Sequence, residues 1–270
     1  MRRRWMLAAL AAVMLCLSGC GMEDCHGWSR QLGTAIRDGD TQKALALIRE
    51  GKQRGYSMDS LSYERTFLLT LVEQPIYTPL EEAIRARNVT VVQALLENGA
   101  CPNEFGSASV GGSGNGESPV WWVVIASQYS PEDLEILQLL ISHGADVSAK
   151  TAHGYPILLV IEKSWSHARL PEDECTPEAI SEGITALVRC MAQHTDVHVR
   201  SAHGQTALHV AARHRNWLLC RVLAEEYGLD CSLKDGNGQT AYDYALQNDA
   251  PEELLSVLRP ADWVHPRERR

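Results

Sequence analysis

One apolar pattern recurs along the chain and constrains its fold more than any other feature. Thr78-Pro79-Leu80 with Ala83, followed by Val91-Val92, Leu95-Leu96 and Gly99-Ala100, returns as Thr206-Ala207-Leu208-His209 with Ala211-Ala212, Cys220, Leu223 and Gly228. It returns again as Ser118-Pro119-Val120 with Ile136-Leu137, Leu139-Leu140 and Gly144-Ala145-Asp146-Val147. A fourth copy opens at His153-Gly154-Tyr155-Pro156-Ile157-Leu158 and closes at Leu187, Cys190 and Thr195-Asp196-Val197, with His194 where the others carry the closing Gly. A fifth starts at Asp235-Gly236-Asn237-Gly238-Gln239-Thr240-Ala241 and ends near Leu258, and Leu32, Ala35-Ile36, Gly39-Asp40, Leu45, Leu47-Ile48 and Gly51 form a degenerate first copy. In each, Pro or a small hydroxyl residue opens a short helix, and Ala pairs permit close packing. A second stretch carries apolar residues at helical spacing, and the closing Gly supplies a left-handed residue. Neither helix can bury its face alone, so neighbouring copies must stack.

These motifs resemble the ankyrin repeat. The resemblance implies an all-α solenoid of about six helix-turn-helix units over residues 29–260, followed by a C-terminal tail, 261–270. The matched opening positions Leu32, Leu80, Val120, Leu158, Leu208 and Tyr242 lie further apart than the roughly 33 residues of a plain unit, so several units carry inserted loops. Tyr56 to Ile76 reads as an added packed helix. Glu104 to Glu117, rich in Gly and Ser, reads as a flexible finger extension, and Glu162 to Ser181 as a separator of the fourth unit's two helices.

The first 20 residues follow a different logic. Arg2, Arg3 and Arg4 precede an apolar stretch from Trp5 to Leu17, the pattern of a secretory signal and short for a membrane span. The junction Leu17-Ser18-Gly19-Cys20 resembles the bacterial lipobox, which implies a signal peptide over 1–19, lipidation of Cys20 and a tether over 20–28. Several acyl chains hold a protein far more firmly than one. Gly21, in place of the Asp that marks inner-membrane retention in that family, implies an outer-membrane protein facing the periplasm.

Composition and motifs bear on chemistry mainly by what they lack. With 25 Lys and Arg against 34 Asp and Glu, the net charge of −9 argues against nucleic acid as a partner. The Gly-rich stretch contains neither a GxxxxGK[ST] nor a GxGxxG phosphate loop, Ser113 does not satisfy GxSxG, and HExxH and CxxC are missing from the sequence. His194, His198 and His203 invite a metal hypothesis without a ligand spacing to support it, so no metal, cofactor or catalytic residue is assigned. Among the cysteines, Cys190 and Cys220 align with buried second-helix positions, whereas Cys175, Cys101 and Cys231 are the better disulfide candidates.

The ankyrin resemblance implies a protein-binding scaffold rather than an enzyme, using finger tips and the first-helix face. Carried over position by position, the implied partner-binding residues are Arg85, Lys150, His153, Tyr155, Lys163, Arg200, His203, Gln205, Arg213, His214, Lys234, Asn237 and Gln239. This set has no acid, which implies a basic face for an acidic protein partner. Trp121 and Trp122, on the third unit's first helix, are candidate anchors. An immunity protein against a secreted antibacterial toxin is the most concrete reading. An envelope assembly or protective factor for a periplasmic enzyme, and a hydrolase with an unrecognised site, are the alternatives.

Overall fold

The computed structural model describes residues 22–59, 77–103, 118–126, 129–148, 154–163 and 176–260. Every regular element among them is an α-helix, and the helices come in pairs. The chain divides into two compact units, Met1–Gly114 and Asn115–Arg270.

The first unit holds α1 (Met22–Arg37), α2 (Thr41–Arg54), α3 (Pro79–Arg85) and α4 (Val89–Glu97). Here α1 packs on α2 and α3, and α4 closes against α2 and α3. The core is continuous across both pairs, with Leu32, Ile36, Ile48, Leu80, Ile84 and Leu95 fully buried. The expected tether is corrected: α1 begins at Met22. Trp28, counted as tether, is only 4% exposed and donates its indole N–H to the Leu47 carbonyl at 2.7 Å. Gly51 lies inside α2, whose end is closed by Gly55 in the left-handed region. A Cβ at residue 51 would stand 2.3 Å from Trp28 Cζ2, so Gly51 is the notch that admits the indole.

The second unit holds α5 (Pro119–Ala126), α6 (Pro131–Ser142), α7 (Pro156–Lys163), α8 (Pro177–Ala192), α9 (Ala207–Arg213), α10 (Trp217–Glu225), α11 (Ala241–Gln247) and α12 (Glu252–Leu258). The first helices α5, α7, α9 and α11 stack in one row, the second helices α6, α8, α10 and α12 in another, and each pair closes across the rows. Ala211 and Ala212 are fully buried, as close packing of the first helices requires.

The opening signals act as caps. Thr78, Ser130, Thr206 and Thr240 each begin a helix with a capping box, completed three residues on by Glu81, Asp133, His209 and Asp243 respectively. The partner is any compact acceptor, carboxylate or imidazole. The expected closing glycines Gly99, Gly144 and Gly228 have φ of 97°, 90° and 61°. With His194 in that place, α8 ends instead on Gln193 in a right-handed conformation, and the His194 N–H bonds the Met191 carbonyl at 2.9 Å. The turns inside five of the pairs also bend left-handed, using Gly39 in the first but Arg87, Tyr129, Arg215 and Asp249 elsewhere, while the connection from α7 to α8 lies outside the described residues.

The fourth unit's insertion is shorter than expected, because α8 starts at Pro177 and takes in Ser181. The expected added helix falls largely, and the Gly-rich finger wholly, outside the described residues. So do the signal segment, Cys20, Cys175 and the tail. No helix among the described residues is long and apolar enough to cross a membrane.

Candidate functional site

The second unit carries an open groove of about 850 Å³ between the finger preceding α9 and the finger preceding α11. Each finger is a tight turn closed by its own backbone. Ser201 N–H bonds the Gln205 carbonyl at 2.8 Å, and Asp235 N–H bonds the Gln239 carbonyl at 2.9 Å. The two are tied together where Gly236 N–H reaches the His203 carbonyl at 2.8 Å. Arg200 adds a second tie, its Nε donating to the Gly204 carbonyl at 2.8 Å and its Nη2 to the Lys234 carbonyl of the next finger at 2.5 Å.

Six of the residues implied by the resemblance line this groove: Arg200, His203, Gln205, Arg213, Lys234 and Asn237. Arg200, His203, Lys234 and Asn237 are exposed on its rim, and Arg213 is half-buried rather than exposed. Gln205 is a correction: at 6% exposure it belongs to the groove floor. Its amide Nε2 reaches Asp235 at 3.4 Å, and its Oε1 accepts from Arg213 Nη1 at 3.3 Å. Gln239 is half-buried and acts through its backbone. Arg85 lies in the first unit, stacked 4.1 Å over the Tyr77 ring. Tyr155 and His214 are half-buried and do not line the groove, and Lys150, His153 and the Lys163 side chain lie outside the described residues.

One acid outside the implied set also belongs to this groove. Asp235, 8% exposed, sits beneath the rim. Its Oδ1 accepts the backbone N–H of Asn237 at 2.8 Å and of Gln239 at 3.1 Å, while Oδ2 accepts the Tyr244 hydroxyl at 2.8 Å. Burial alone would raise its pKa, but the bonds from Tyr244, Gln239, Asn237 and Gln205 hold it below the usual carboxylate range. The carboxylate is therefore spent on shaping the finger. The signal for it was present in the sequence as Asp235-Gly236-Asn237-Gly238, a turn in which Asp bonds the amide two residues on.

Behind the groove, His209 is 1% exposed and joins the two repeats. The Thr206 backbone N–H can only donate, at 3.3 Å, so Nδ1 is the acceptor. Nε2 therefore carries the proton, donated to the Gln239 carbonyl at 3.1 Å. Burial pushes this imidazole below the ordinary histidine pKa, keeping it neutral.

Elsewhere, Trp121 is buried and Trp122 half-buried, their rings edge to face at 4.8 Å. Cys220 is fully buried, and burial pushes its thiol pKa up. Cys190 is only half-buried, and Cys101 and Cys231 are free thiols. No three His, Cys, Asp or Glu side chains come together as metal ligands among the described residues.

Comparison with known proteins places this geometry. The model of the family "Ankyrin repeat" matches residues 77–106 and 115–152, and that of "Ankyrin repeats (many copies)" matches 191–245. The chain is 27% identical over 198 residues to E3 ubiquitin-protein ligase KEG of Arabidopsis thaliana, an alignment covering 73% of this chain and 11% of that protein. It is 23% identical over 210 residues to Alpha-latrotoxin-Lg1a of Latrodectus geometricus, covering 70% of this chain and 14% of the toxin. It thus spans a small fraction of both relatives. The solved ankyrin repeat protein EF0377 superposes with a TM-score of 0.58 at 21% identity, covering 87% of this chain and 98% of that one. Paired helices, capped openings and matched repeats agree: the chain has the ankyrin-repeat fold, an all-α protein-interaction module.

Proposed function

We propose that the chain is a lipid-anchored ankyrin-repeat lipoprotein that binds an acidic partner protein at the periplasmic side of the outer membrane. The observation that carries the binding half is the finger groove, where Arg200, Arg213 and Lys234 converge above one carboxylate already committed to the fold. Cationic rims around a shaped groove steer acidic partners and fix their register. The anchoring half rests on Leu17-Ser18-Gly19-Cys20 behind three arginines. With α1 starting at Met22, the first helix follows Cys20 almost at once. Neutralisation of a secreted antibacterial toxin, as an immunity protein, is the specific form of this reading. A binding role without catalysis suits a groove whose buried acid and imidazole are both engaged in structural bonds.

Fractionation tests the anchor. Native chain should sediment with outer membranes and Cys20→Ala should move to the soluble fraction or persist as precursor. Equal recovery of both in the soluble periplasm would refute it.

A further inference from the structure

We infer that the finger groove takes an extended acidic peptide segment, with one side-chain carboxylate seated on the end-on fork of Arg200. This deepens the proposed binding reading and rests on the groove being the partner site. A guanidinium carries five N–H donors in a fixed plane. In Arg200 the edge formed by Nε and Nη2 is docked on the Gly204 and Lys234 carbonyls. Three donors remain: the second Nη2–H and both on Nη1. Of these, the second Nη2–H and the Nη1–H beside it form the end-on pair that matches a carboxylate bidentately. Because one carbonyl comes from each finger, the guanidinium is held in place before any partner arrives, which lowers the ordering cost of binding. Lys234 and Asn237, exposed on the same rim, can add single contacts further along the segment.

The fingers also select against phosphate. Phosphate sites in loops are commonly built from backbone N–H groups converging on the anion. Here most of those groups are consumed internally. The amides of His203 and Gln205 bond Ser201 Oγ, and Gly204 bonds the Ser201 carbonyl. Gly236 bonds the His203 carbonyl, Gly238 the Asp235 carbonyl, and Asn237 and Gln239 the Asp235 carboxylate. Recognition is left to side chains on a planar fork. Nor does the groove suit a cation, since Asp235 already accepts bonds on both oxygens.

The test is fluorescence anisotropy of fluorescein-labelled hexaglutamate titrated into the full chain in detergent at low salt. Arg200→Lys, which keeps the charge but loses the fork, should weaken binding at least tenfold, and Lys234→Glu at least threefold. Glu252→Lys with Glu253→Lys, on exposed α12 positions outside the groove, should leave it within twofold. Glutarate should displace the peptide better than equimolar pyrophosphate. The inference is overturned if Arg200→Lys binds within twofold of native, if pyrophosphate competes as well as glutarate, or if hexaglutamate does not bind. Should Arg200→Lys unfold the finger, seen as a lowered thermal midpoint, Lys234→Glu decides alone, because Lys234 lends the finger only its carbonyl. Failure here with Cys20-dependent sedimentation intact removes the groove assignment and leaves the anchor standing.

Discussion

The first helix pair and the last two are joined by opposite chemistries. Where α1 meets α2, the contact is steric and largely apolar: an indole pressed into the notch left by Gly51 and bonded through its N–H to the Leu47 carbonyl, with Tyr56 tilted against it at a ring distance of 5.4 Å. Where α9 meets α11, the contact is a polar lattice of His209, Gln205, Tyr244, Asp235 and Arg200 across two fingers. An apolar joint tolerates any pH and offers a partner little to recognise. A polar joint is directional and pH-sensitive, and it brings charged groups to the surface in fixed positions.

The largest difference should come from Trp28→Ala, which empties a buried indole site and strips the Leu47 carbonyl of its donor. A loss of about 3–5 kcal/mol is expected from denaturant melts. Gly51→Ala should be comparably disruptive despite adding one methyl. If both leave the midpoint unchanged, the first pair is not joined as described.

A smaller, pH-dependent effect should mark the polar joint. His209→Ala takes the acceptor from the buried Thr206 amide and leaves the Gln239 carbonyl only the Asp235 N–H, costing on the order of 1–3 kcal/mol. In the native chain the imidazole is neutral and its folded pKa lies below the unfolded value of about 6.5, so below that pH the unfolded state binds more protons. Its contribution is therefore complete above the unfolded pKa and declines as pH falls toward the folded one. Thermal midpoints from pH 7.5 to 5 should fall more steeply for native chain than for His209→Ala. Parallel curves would show that the imidazole titrates freely.

The smallest effect concerns the left-handed turn that five of the pairs share. Asp249 holds φ of 58° where the first pair uses Gly39. Asp249→Gly should relieve left-handed strain and raise stability by up to about 1 kcal/mol, after the glycine's extra unfolded-state entropy is deducted. A lowered midpoint would mean that the exposed Arg215–Asp249 contact at 3.6 Å outweighs the strain.

Much of this architecture is written in short sequence signals, and the exceptions have physical causes. Thr206-Ala207-Leu208-His209 and Gly228 could be read directly because caps and left-handed ends require particular residue types. The start of α1 could not, since Met22 to Trp28 carries no cap signature and its burial depends on a glycine 23 residues away. The repeat register located the rim residues Arg200, Lys234 and, with less exposure, Arg213. It passed over Asp235, whose charge is absorbed locally, and it could not show that Gln205 faces inward, because an amide suits a solvent tip and a buried relay equally well.

Arg200 grips a carbonyl of the following repeat, and the last described pair supplies Lys234, Asp235, Asn237 and Tyr244 to the groove. Neither repeat encodes the site by itself; it exists only while the two are docked. In an array stabilised by nearest-neighbour terms, terminal fraying and loss of the partner site are then a single event. Conversely, any ligand of the groove acts as a clasp on the end of the array and spends part of its affinity keeping that end folded.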